Sequence, residues 1–257
     1  IKRSKIRGEL SEGMICAEDE LGLGTMHEGI MVLQPDTVPG TPASDYFKIE
    51  KDFIFEIGLT PNRIDSGSHF GVARDLAAYI SVNTGTKMKA NFPSAENFIH
   101  GNQDKTFDII VENPSDCPRY SGVNIFDVKI SESPDWLKNR LRAIGQSPIN
   151  NVVDITNFVQ NEIGQPLHAF DADKITGRKV VVRNVPEKTK FTTLDQTVRE
   201  LSSKDLMICN SVEGMCIGGV LGGTGSGVTT STKNIFLESA YFNPVTIRKT
   251  AKRHRLH

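Results

Sequence analysis

Polar side chains that could bind a ligand or position a water molecule are concentrated between Asn151 and Asp171. This segment reads NVVDITNFVQNEIGQPLHAFD: an apolar helical pattern runs into a Gly-Gln-Pro break, and a histidine follows the break. Loops beside rigid elements often carry chemistry, because the elements hold the polar groups in place. The sequence therefore favours a ligand-binding site here, although a lone histidine near an apolar turn is more often simply hydrogen-bonded. The polar residues are Asp154, Thr156, Asn157, Glu162, Gln165 and His168.

Glu238 lies within an otherwise apolar strand pattern, NIFLESAYF. Alternation along a strand places its side chain on the same face as Phe236 and Ala240. A carboxylate in such surroundings must be paired, hydrogen-bonded or directed into a cavity, because burying an unpaired charge is very unfavourable. Thr156 and Asn157 are also unusual, since they lie mid-helix where their propensity is low. A polar pocket is one interpretation, and satisfied polar groups in the core are the other.

The run GGVLGGTGSGV, from Gly218 to Val228, is glycine-rich without matching a nucleotide-binding loop. A P-loop requires GxxxxGK[ST], and no lysine follows at that spacing. A dinucleotide fingerprint needs a helix after the loop, whereas a strand pattern follows here. We expect tight turns and close backbone approach, either to another strand or to a ligand. The sequence thus predicts a polar pocket but does not indicate which reaction it would catalyse. The pocket would be built from Thr156, Asn157, His168, Gly218, Gly219 and Glu238.

Four helices are predicted to position these groups, from apolar spacing and capping residues. The first covers Phe70 to Ile80 and is capped by Ser66 or Ser68, and the fourth is the basic segment NPVTIRKTAKRH. Serine, proline and glycine punctuate the other two. In SPDWLKNRLRAIG they are Ser133 as cap, Pro134 at the first position and Gly145 after the end, and in SPINNVVDITNFVQNEIG they are Ser147, Pro148 and Gly164.

Strand patterns complete an α+β (mixed α/β) fold without the regular alternation of a doubly wound sheet. They comprise short pieces at Gly13–Ala17 and Gly29–Leu33, FIFEIGL at Phe53–Leu59, FDIIVENP and YSGVNIFDVKI, and a β-rich region from Lys179 onward. Composition divides the chain into three parts. Residues 1–35 read as the end of a β domain, 36–105 as linkers around a strand–helix block, and 106–257 as the main body.

The charge balance excludes a protein that coats nucleic acid by bulk electrostatics, because 30 basic residues face 31 acidic ones. Two terminal basic clusters still allow local RNA contact, although such clusters are usually solvated faces. No apolar run approaches the roughly 18 residues of a membrane span. The clusters are Lys2, Arg3, Lys5 and Arg7, and Arg248, Lys249, Lys252, Arg253 and Arg255.

The four cysteines are scattered at positions 16, 117, 209 and 216, with no CxxC pair. Neither a zinc site nor a disulfide framework is therefore expected. Unpaired cysteines favour a reducing cytoplasm, where such residues usually serve as small buried hydrophobes. The first residues, IKRSKIRGEL, lack both an initiator methionine and the apolar stretch of a signal peptide, so we expect a segment of a longer chain.

Several motifs together resemble the beta subunit of bacterial phenylalanyl-tRNA synthetase. VVDITNFV, GQPLHAFD, IGGVLGG, LESAYFNP and IRKTAKRH are similar in order and spacing to the editing (B3/B4) domain of that family. TPNRIDSGSHFGVARDLAA resembles the segment that precedes this domain, and RGELSEGMICAEDELGLG the end of the inserted OB-fold tRNA-binding domain. The resemblance covers nearly the whole chain and assigns residues 1–35 to an OB-fold remnant and 106–257 to the editing domain.

The resemblance implies a hydrolase that removes tyrosine wrongly attached to phenylalanine tRNA. Such editing is needed because a hydrophobic phenylalanine pocket rejects an added hydroxyl by only about 10²-fold. Glu238 would accept the phenolic O–H of tyrosine, with Gly218, Gly219 and Pro166 also binding the substrate. His168, Thr156 and Asn157 would be catalytic, orienting the ester or the attacking water. No nucleophile is evident, so a positioned water assisted by the terminal hydroxyl of the tRNA is expected.

The implied partners are phenylalanine tRNA, the alpha subunit in an α2β2 assembly, and tyrosine as editing ligand. ATP and magnesium would serve the whole enzyme, while this segment needs no cofactor or metal and should not charge tRNA alone. Gly218 departs from the family, which often has alanine there, and the change loosens the expected pocket. The main alternative is a non-catalytic scaffold for RNA docking and assembly, which a filled core between His168 and Glu238 would favour. A free-standing deacylase is a weaker alternative, because the OB-fold remnant argues against it.

Overall fold

The computed structural model describes residues 3–24, 26–49, 52–99, 101 and 106–256. The mixed fold class predicted from the sequence is confirmed, since helices and sheets alternate irregularly along the described chain. The α-helices are α1 Ala43–Tyr46, α2 His69–Thr84, α3 Asp135–Ala143, α4 Asn151–Ile163 and α5 Pro244–Arg253. The strands are β1 Ser4–Ile6, β2 Glu9–Ser11, β3 Asp108–Val111, β4 Arg119–Ile125, β5 Leu167–Asp171, β6 Lys179–Asn184, β7 Thr189–Thr192, β8 Val198–Leu201, β9 Leu206–Cys209, β10 Gly214–Ile217, β11 Leu221–Gly222 and β12 Ile235–Tyr241.

The core lies on both faces of a five-stranded sheet with the order β11-β10-β9-β6-β3, in which β3 and β6 are parallel. Its interior strand β6, which lies between β9 and β3, carries consecutive valines, the pattern of a strand buried on two sides. Val180 and Val182 pack in one cluster with Phe170 and Phe236, which belong to the antiparallel sheet β4-β12-β5. Val181 packs on the opposite side, in a second cluster that includes residues of the β7-β8 hairpin.

One glycine in the β4-β12-β5 sheet makes room for an aromatic ring of the core. Gly122 on β4 pairs with Glu238 on β12, and a Cβ at Gly122 would lie 2.1 Å from Cζ of Phe236. A side chain there would therefore clash with the ring, whereas glycine admits it. On the other side of β12, Phe236 pairs with Phe170 and Glu238 with His168. The strands thereby place the residues that sequence analysis selected from two distant segments side by side.

Helix α4 begins three residues later than the serine–proline pattern predicted. Asn150 is its N-cap, and the Asn150 side chain accepts hydrogen bonds from the backbone N–H groups of Val152 and Val153. The prediction that Ser147 and Pro148 mark the start is therefore wrong, because the asparagine further along satisfies the orphan donors. The predicted end is confirmed at Gly164, whose φ of 80° is favourable for glycine.

Ser133 does not cap α3, contrary to the prediction. Pro134 occupies the N-cap position, and the Ser133 hydroxyl instead donates to Oδ2 of buried Asp154 at 2.5 Å. Oδ1 of the same carboxylate accepts from the backbone N–H of Ile149. Ser133 does not act as a cap because its hydroxyl binds this tertiary partner instead. The hydrogen bond connects the beginning of α3 to the first turns of α4.

The N-terminal half departs most from the sequence predictions. The helix after the TPNR motif is confirmed, with Ser68 as its cap. The predicted strand Phe53–Leu59 is wrong: no described strand pairs with it, and Phe53 remains 87% exposed. A ladder requires a partner, which an apolar sequence alone cannot supply.

The short β-like pieces at Gly13–Ala17 and Gly29–Leu33 are not strands either. Among the described backbone contacts they share a single hydrogen bond, from Met31 N–H to the Cys16 carbonyl. The strands of this region are β1 and β2 instead. The basic residue Lys2 lies outside the described residues, and the three-part division of the chain stays a prediction.

Candidate active site

Three residues of the β4-β12-β5 sheet form the centre of the candidate site. His168 on β5 lies directly opposite Glu238 on β12, as antiparallel partners. On β4, Tyr120 lies two residues from Gly122, the other partner of Glu238, so its side chain emerges on the same face. The Tyr120 hydroxyl donates to Oε2 of Glu238 at 2.6 Å. The Glu238 carboxylate is thus flanked by a phenol and by a strand that carries an imidazole.

Glu238 is buried without a cationic partner among the described residues. It is 6% exposed, and burial raises its pKa to about 7, although the hydrogen bond from Tyr120 opposes this shift. No described group donates to its second oxygen, Oε1, which is not among the described polar atoms that are fully buried without a partner. An acceptor that is unpaired but not fully enclosed can take a hydrogen bond from a donor. The arrangement can accept a hydrogen bond from a hydroxyl group of a ligand.

His168 is half-buried and has a neutral ring near neutral pH, because burial lowers its pKa. The ring contacts Phe170 edge-on, with 4.5 Å between ring centroids. Within the described part of the chain, no hydrogen bond engages either ring nitrogen. A neutral imidazole offers one donor and one acceptor, so His168 can orient a polar group or a water molecule.

Gly222 is a neighbour of His168 that sequence analysis did not select. A Cβ at Gly222 would lie 3.1 Å from Cε1 and 3.3 Å from Nε2 of His168, and 3.0 Å from Leu194. The absence of a side chain therefore makes room for the imidazole. The sequence signal was present, since Gly222 belongs to the second glycine pair of the run GGVLGG, but the first pair was chosen instead.

Gly218 and Gly219 contact a different part of the protein. Added Cβ atoms there would meet the ring of Phe242, at 3.5 and 2.9 Å respectively, and Gly219 also approaches Ile247 of α5. Gly219 adopts a left-handed φ of 66°, as a tight turn requires. These contacts give both glycines a packing role against the end of β12 and against α5. Their contribution to a ligand pocket stays a prediction.

Thr156 and Asn157 lie in the middle of α4, which packs beside β5. Thr156 is buried, and its hydroxyl donates to the Val153 carbonyl at 2.7 Å, so it is satisfied within the helix. The side-chain amide of half-buried Asn157 has no hydrogen-bond partner among the described residues. Of the two, Asn157 therefore has the greater capacity to contact a ligand.

The turn before β5 is fastened to the central strand of the sheet. The Gln165 side-chain amide donates to the Ala240 carbonyl at 3.1 Å and to the Pro166 carbonyl at 3.0 Å. Pro166 itself is exposed. The hydrogen bonds fix the approach of the chain to His168, and the exposed proline is accessible to a ligand at this end of the sheet.

Two buried thiols near Glu238 are poor nucleophiles. Burial, and secondarily the negative charge of Glu238, raises the pKa of Cys117 to about 11 and that of Cys216 well above its usual value. Both remain protonated at neutral pH, whereas the thiolate is the reactive form. In the described part of the chain, no group of three or more His, Cys, Asp or Glu is arranged to hold a metal ion.

Two cavities of the protein lie away from His168 and Glu238. One of about 330 Å³ is lined by residues that include Tyr46, Lys48 and Lys138, and another of about 270 Å³ by residues that include Leu23 and Pro148. Neither reaches the three-stranded sheet. Glu238 itself is 6% exposed, and the Tyr120 hydroxyl contacts one of its carboxylate oxygens.

Comparison with known families identifies the part of the chain that contains this site. The sequence model of the B3/4 domain matches residues 116–257, more than half of the chain and all of the strands β4 to β12. The chain belongs to the B3/4 domain family. His168, Glu238 and Tyr120 all lie within the B3/4 domain, whereas α2 and the preceding segments lie outside the match.

Relatives of the whole chain are much longer than it is. The phenylalanine–tRNA ligase beta subunits of Bacteroides thetaiotaomicron and Geobacter metallireducens are 54% and 48% identical to it over 257 residues. The chain is covered completely but spans 31% of the length of these curated relatives. A solved N-terminal fragment of the phenylalanyl-tRNA synthetase beta subunit from Pyrococcus horikoshii aligns with 72% of this chain and 55% of its own, at 15% identity and a TM-score of 0.43. No described helix has the length and apolarity needed to cross a membrane.

The raised pKa of Glu238 predicts a pH-dependent stability of the B3/4 domain. The folded-state pKa of about 7 lies above the ordinary 4.5, so the contribution of this group is fully present below about pH 4.5 and is lost as pH rises through 7. Because a glutamine at this position would not ionise, the stability of Glu238→Gln relative to the parent should increase by roughly 2 kcal/mol from pH 5 to pH 8. Urea unfolding of both proteins at the two pH values measures this difference, and parallel pH profiles would contradict it.

Proposed function

We propose that this chain is the editing segment of a phenylalanine–tRNA ligase beta subunit and hydrolyses tyrosyl ester on phenylalanine tRNA. One observation carries the proposal. The Glu238 carboxylate, which is 6% exposed and has one oxygen without a described donor, lies directly opposite His168, whose ring nitrogens have no described hydrogen-bond partner. The names of the long relatives supply the enzyme to which the segment would belong.

Glu238 would select tyrosine by hydrogen-bonding its phenol. The Tyr120 hydroxyl already approaches Oε2 at 2.6 Å, which supports the suitability of this carboxylate as a partner for a phenol. With a pKa about 7, Glu238 can accept from the phenol when ionised or donate to it when neutral. Phenylalanine offers neither interaction, and a buried polar group left unpaired disfavours its binding.

His168 would act on the ester rather than on the phenol. Its neutral ring can accept a proton from water or hold the water by a hydrogen bond, and Asn157 and Thr156 would help to orient the ester from α4. Water attacks the carbonyl carbon, the bond to the ribose oxygen breaks, and that oxygen takes up a proton; the products are free tyrosine and uncharged tRNA. The terminal hydroxyl of the tRNA would assist the water. The protonated thiols of Cys117 and Cys216 argue against a covalent intermediate.

The remaining assignments follow from membership of such an enzyme. Phenylalanine tRNA and an alpha subunit in an α2β2 assembly would be the macromolecular partners, and the cytoplasm the location. ATP and magnesium would be used in aminoacylation elsewhere in the assembly. Gly218, Gly219 and Pro166 would line the substrate site, of which Gly222 would form the part against His168.

The test compares hydrolysis of phenylalanine tRNA charged with tyrosine and with phenylalanine by the purified chain. We expect the tyrosyl ester to be hydrolysed at least about 100-fold faster, because a site that hydrogen-bonds a hydroxyl rejects the analogue that lacks it. The spontaneous rate without protein provides the baseline. Equal rates for the two esters, or no acceleration of either, would contradict the proposed function.

A scaffold that docks RNA and assembles with other chains is the second candidate. One observation favours it: several large apolar side chains before α2 are highly exposed, including Phe53 at 87% and Phe55 at 78%. A protein of this kind would bind phenylalanine tRNA without accelerating hydrolysis of either ester. The assay above therefore separates the two functions.

A further inference from the structure

The hydroxyl of Tyr120 is the single described hydrogen-bond donor to the carboxylate of Glu238. The two nearby thiols do not compete for this role, because each donates to backbone: Cys117 to the Arg119 carbonyl at 3.5 Å and Cys216 to the Ile217 carbonyl at 3.3 Å. A carboxylate on a flexible side chain can rotate about its last bond. The hydrogen bond from Tyr120 therefore fixes the orientation of the carboxylate group.

The position of Tyr120 is itself well defined. Its ring packs against the first core cluster, and its partner across the β4–β12 ladder is the small residue Ala240. Burial, followed by the charge of Glu238, raises the pKa of the Tyr120 phenol well above 10, so it stays protonated and remains a donor. Since the ring is anchored in the core, its hydroxyl provides a fixed point against which the carboxylate is held.

We propose that Tyr120 is a positioning residue of the site, whose hydroxyl holds Oε2 of Glu238 so that Oε1 is directed to the hydroxyl of the substrate. This inference rests on the proposed function and adds a residue that determines specificity through Glu238 without contacting the reacting ester. The phenol of Tyr120 would orient the carboxylate, and the phenol of the tyrosyl substrate would bind to the other carboxylate oxygen. Tyr120 would therefore set how strongly the site prefers a phenol over a plain phenyl ring.

The test is Tyr120→Phe in the full chain, with tyrosyl and phenylalanyl tRNA as the two substrates. Removing the hydroxyl should reduce the preference for the tyrosyl ester by about tenfold, the factor expected for one hydrogen bond to a charged group. Tyr241→Phe is the matched control, because it makes the same chemical change on the same sheet at a residue that is 60% exposed. We expect this control to keep the preference of the parent.

Two further measurements separate positioning from a general structural effect. In a Glu238→Ala background, where the preference is already lost, Tyr120→Phe should leave the remaining hydrolysis rates of both esters unchanged, whereas an independent structural role would lower both rates. The pKa of Glu238, followed by carbon NMR of its carboxyl group, should rise above that of the parent, because the hydrogen bond that stabilises the charged form is gone. His168, Cys117 and Cys216 are the other titratable groups around Glu238, and they are unchanged in this comparison.

The outcomes distinguish this inference from the function on which it rests. A parent that prefers the tyrosyl ester, together with a Tyr120→Phe variant of unchanged preference and unchanged Glu238 pKa, would overturn the positioning role alone. A parent without any preference would overturn the proposed function and this inference with it. A Tyr120→Phe protein that does not fold, as judged by circular dichroism, would also count against the inference, because it would assign the hydroxyl to stability.

Discussion

Glu238→Ala is expected to abolish the preference for tyrosyl over phenylalanyl tRNA, a loss of at least about 100-fold if hydrogen bonding of the phenol sets that preference. The truncation removes both carboxylate oxygens and leaves the Tyr120 hydroxyl without its acceptor at 2.6 Å. The loss should fall on the tyrosyl ester, because phenylalanine never used the carboxylate. Hydrolysis of the phenylalanyl ester should not fall, and it should rise to the extent that the unpaired carboxylate had disfavoured phenylalanine.

The measurement is the deacylation rate of each charged tRNA by parent and variant under identical conditions. Glu200→Ala serves as the control, since Glu200 is an exposed residue on β8 that also loses a carboxylate. Thermal unfolding of the three proteins checks that the variant is folded. Equal rates for parent and Glu238→Ala on the tyrosyl ester would rule out the role assigned to Glu238.

Asp205→Ala is expected to destabilise the protein by about 3 kcal/mol, because it empties the centre of a buried hydrogen-bond network. Asp205 is completely buried and joins α5 to the start of β9. Its carboxylate accepts from the Thr250 hydroxyl at 2.9 Å, from the backbone N–H of Ser202 at 2.8 Å, from Nε2 of His254 at 2.8 Å and from the guanidinium of Arg253. Removing it leaves several of these donors unpaired at once.

Urea or thermal unfolding of Asp205→Ala and the parent measures this loss. Asp135→Asn is the control: it removes the charge of an exposed aspartate on α3 that pairs directly with Lys48 at 3.4 Å and with Lys138 at 3.1 Å. Ion pairs of an exposed carboxylate contribute little to stability. We expect the control to unfold like the parent. If the two variants lose the same stability, the network around Asp205 does not hold α5 in place.

The basic helix illustrates how the sequence indicated an element but not its role. NPVTIRKTAKRH predicted an amphipathic basic helix that allowed local RNA contact, and the helix α5 is confirmed at Pro244–Arg253. Arg253, however, is committed to the buried Asp205, which no local pattern could reveal, because the two residues are 48 positions apart. On this helix, the basic residues that remain available to a nucleic acid are therefore Arg248, Lys249 and Lys252.

The helices of the B3/4 domain were predicted well where local chemistry decides, and less well where a distant partner competes. Glycine ends α4 at Gly164 as expected, since a left-handed residue is needed there whatever surrounds it. Ser133 failed as a cap because buried Asp154 accepts its hydroxyl. The strand predicted at Phe53–Leu59 failed because extended backbone becomes a strand only when another strand pairs with it.

The sequence by itself determined which residues were candidates. His168 follows a helix-ending turn, and Glu238 interrupts an apolar strand; both signals are local and need no three-dimensional information. The mixed fold class and most strands after Lys179 were likewise contained in patterns of alternation and turn residues.

The tertiary structure alone decided which candidates meet. Pairing of β5 with β12 sets His168 opposite Glu238, pairing of β4 with β12 brings the Tyr120 hydroxyl to the same carboxylate, and Gly222 rather than Gly218 or Gly219 makes room for the imidazole. Sheet register depends on contacts between residues far apart in the chain, and a shift of one residue turns every side chain to the other face. Local patterns therefore identified His168 and Glu238, whereas only long-range pairing revealed that Tyr120 and Gly222 belong beside them.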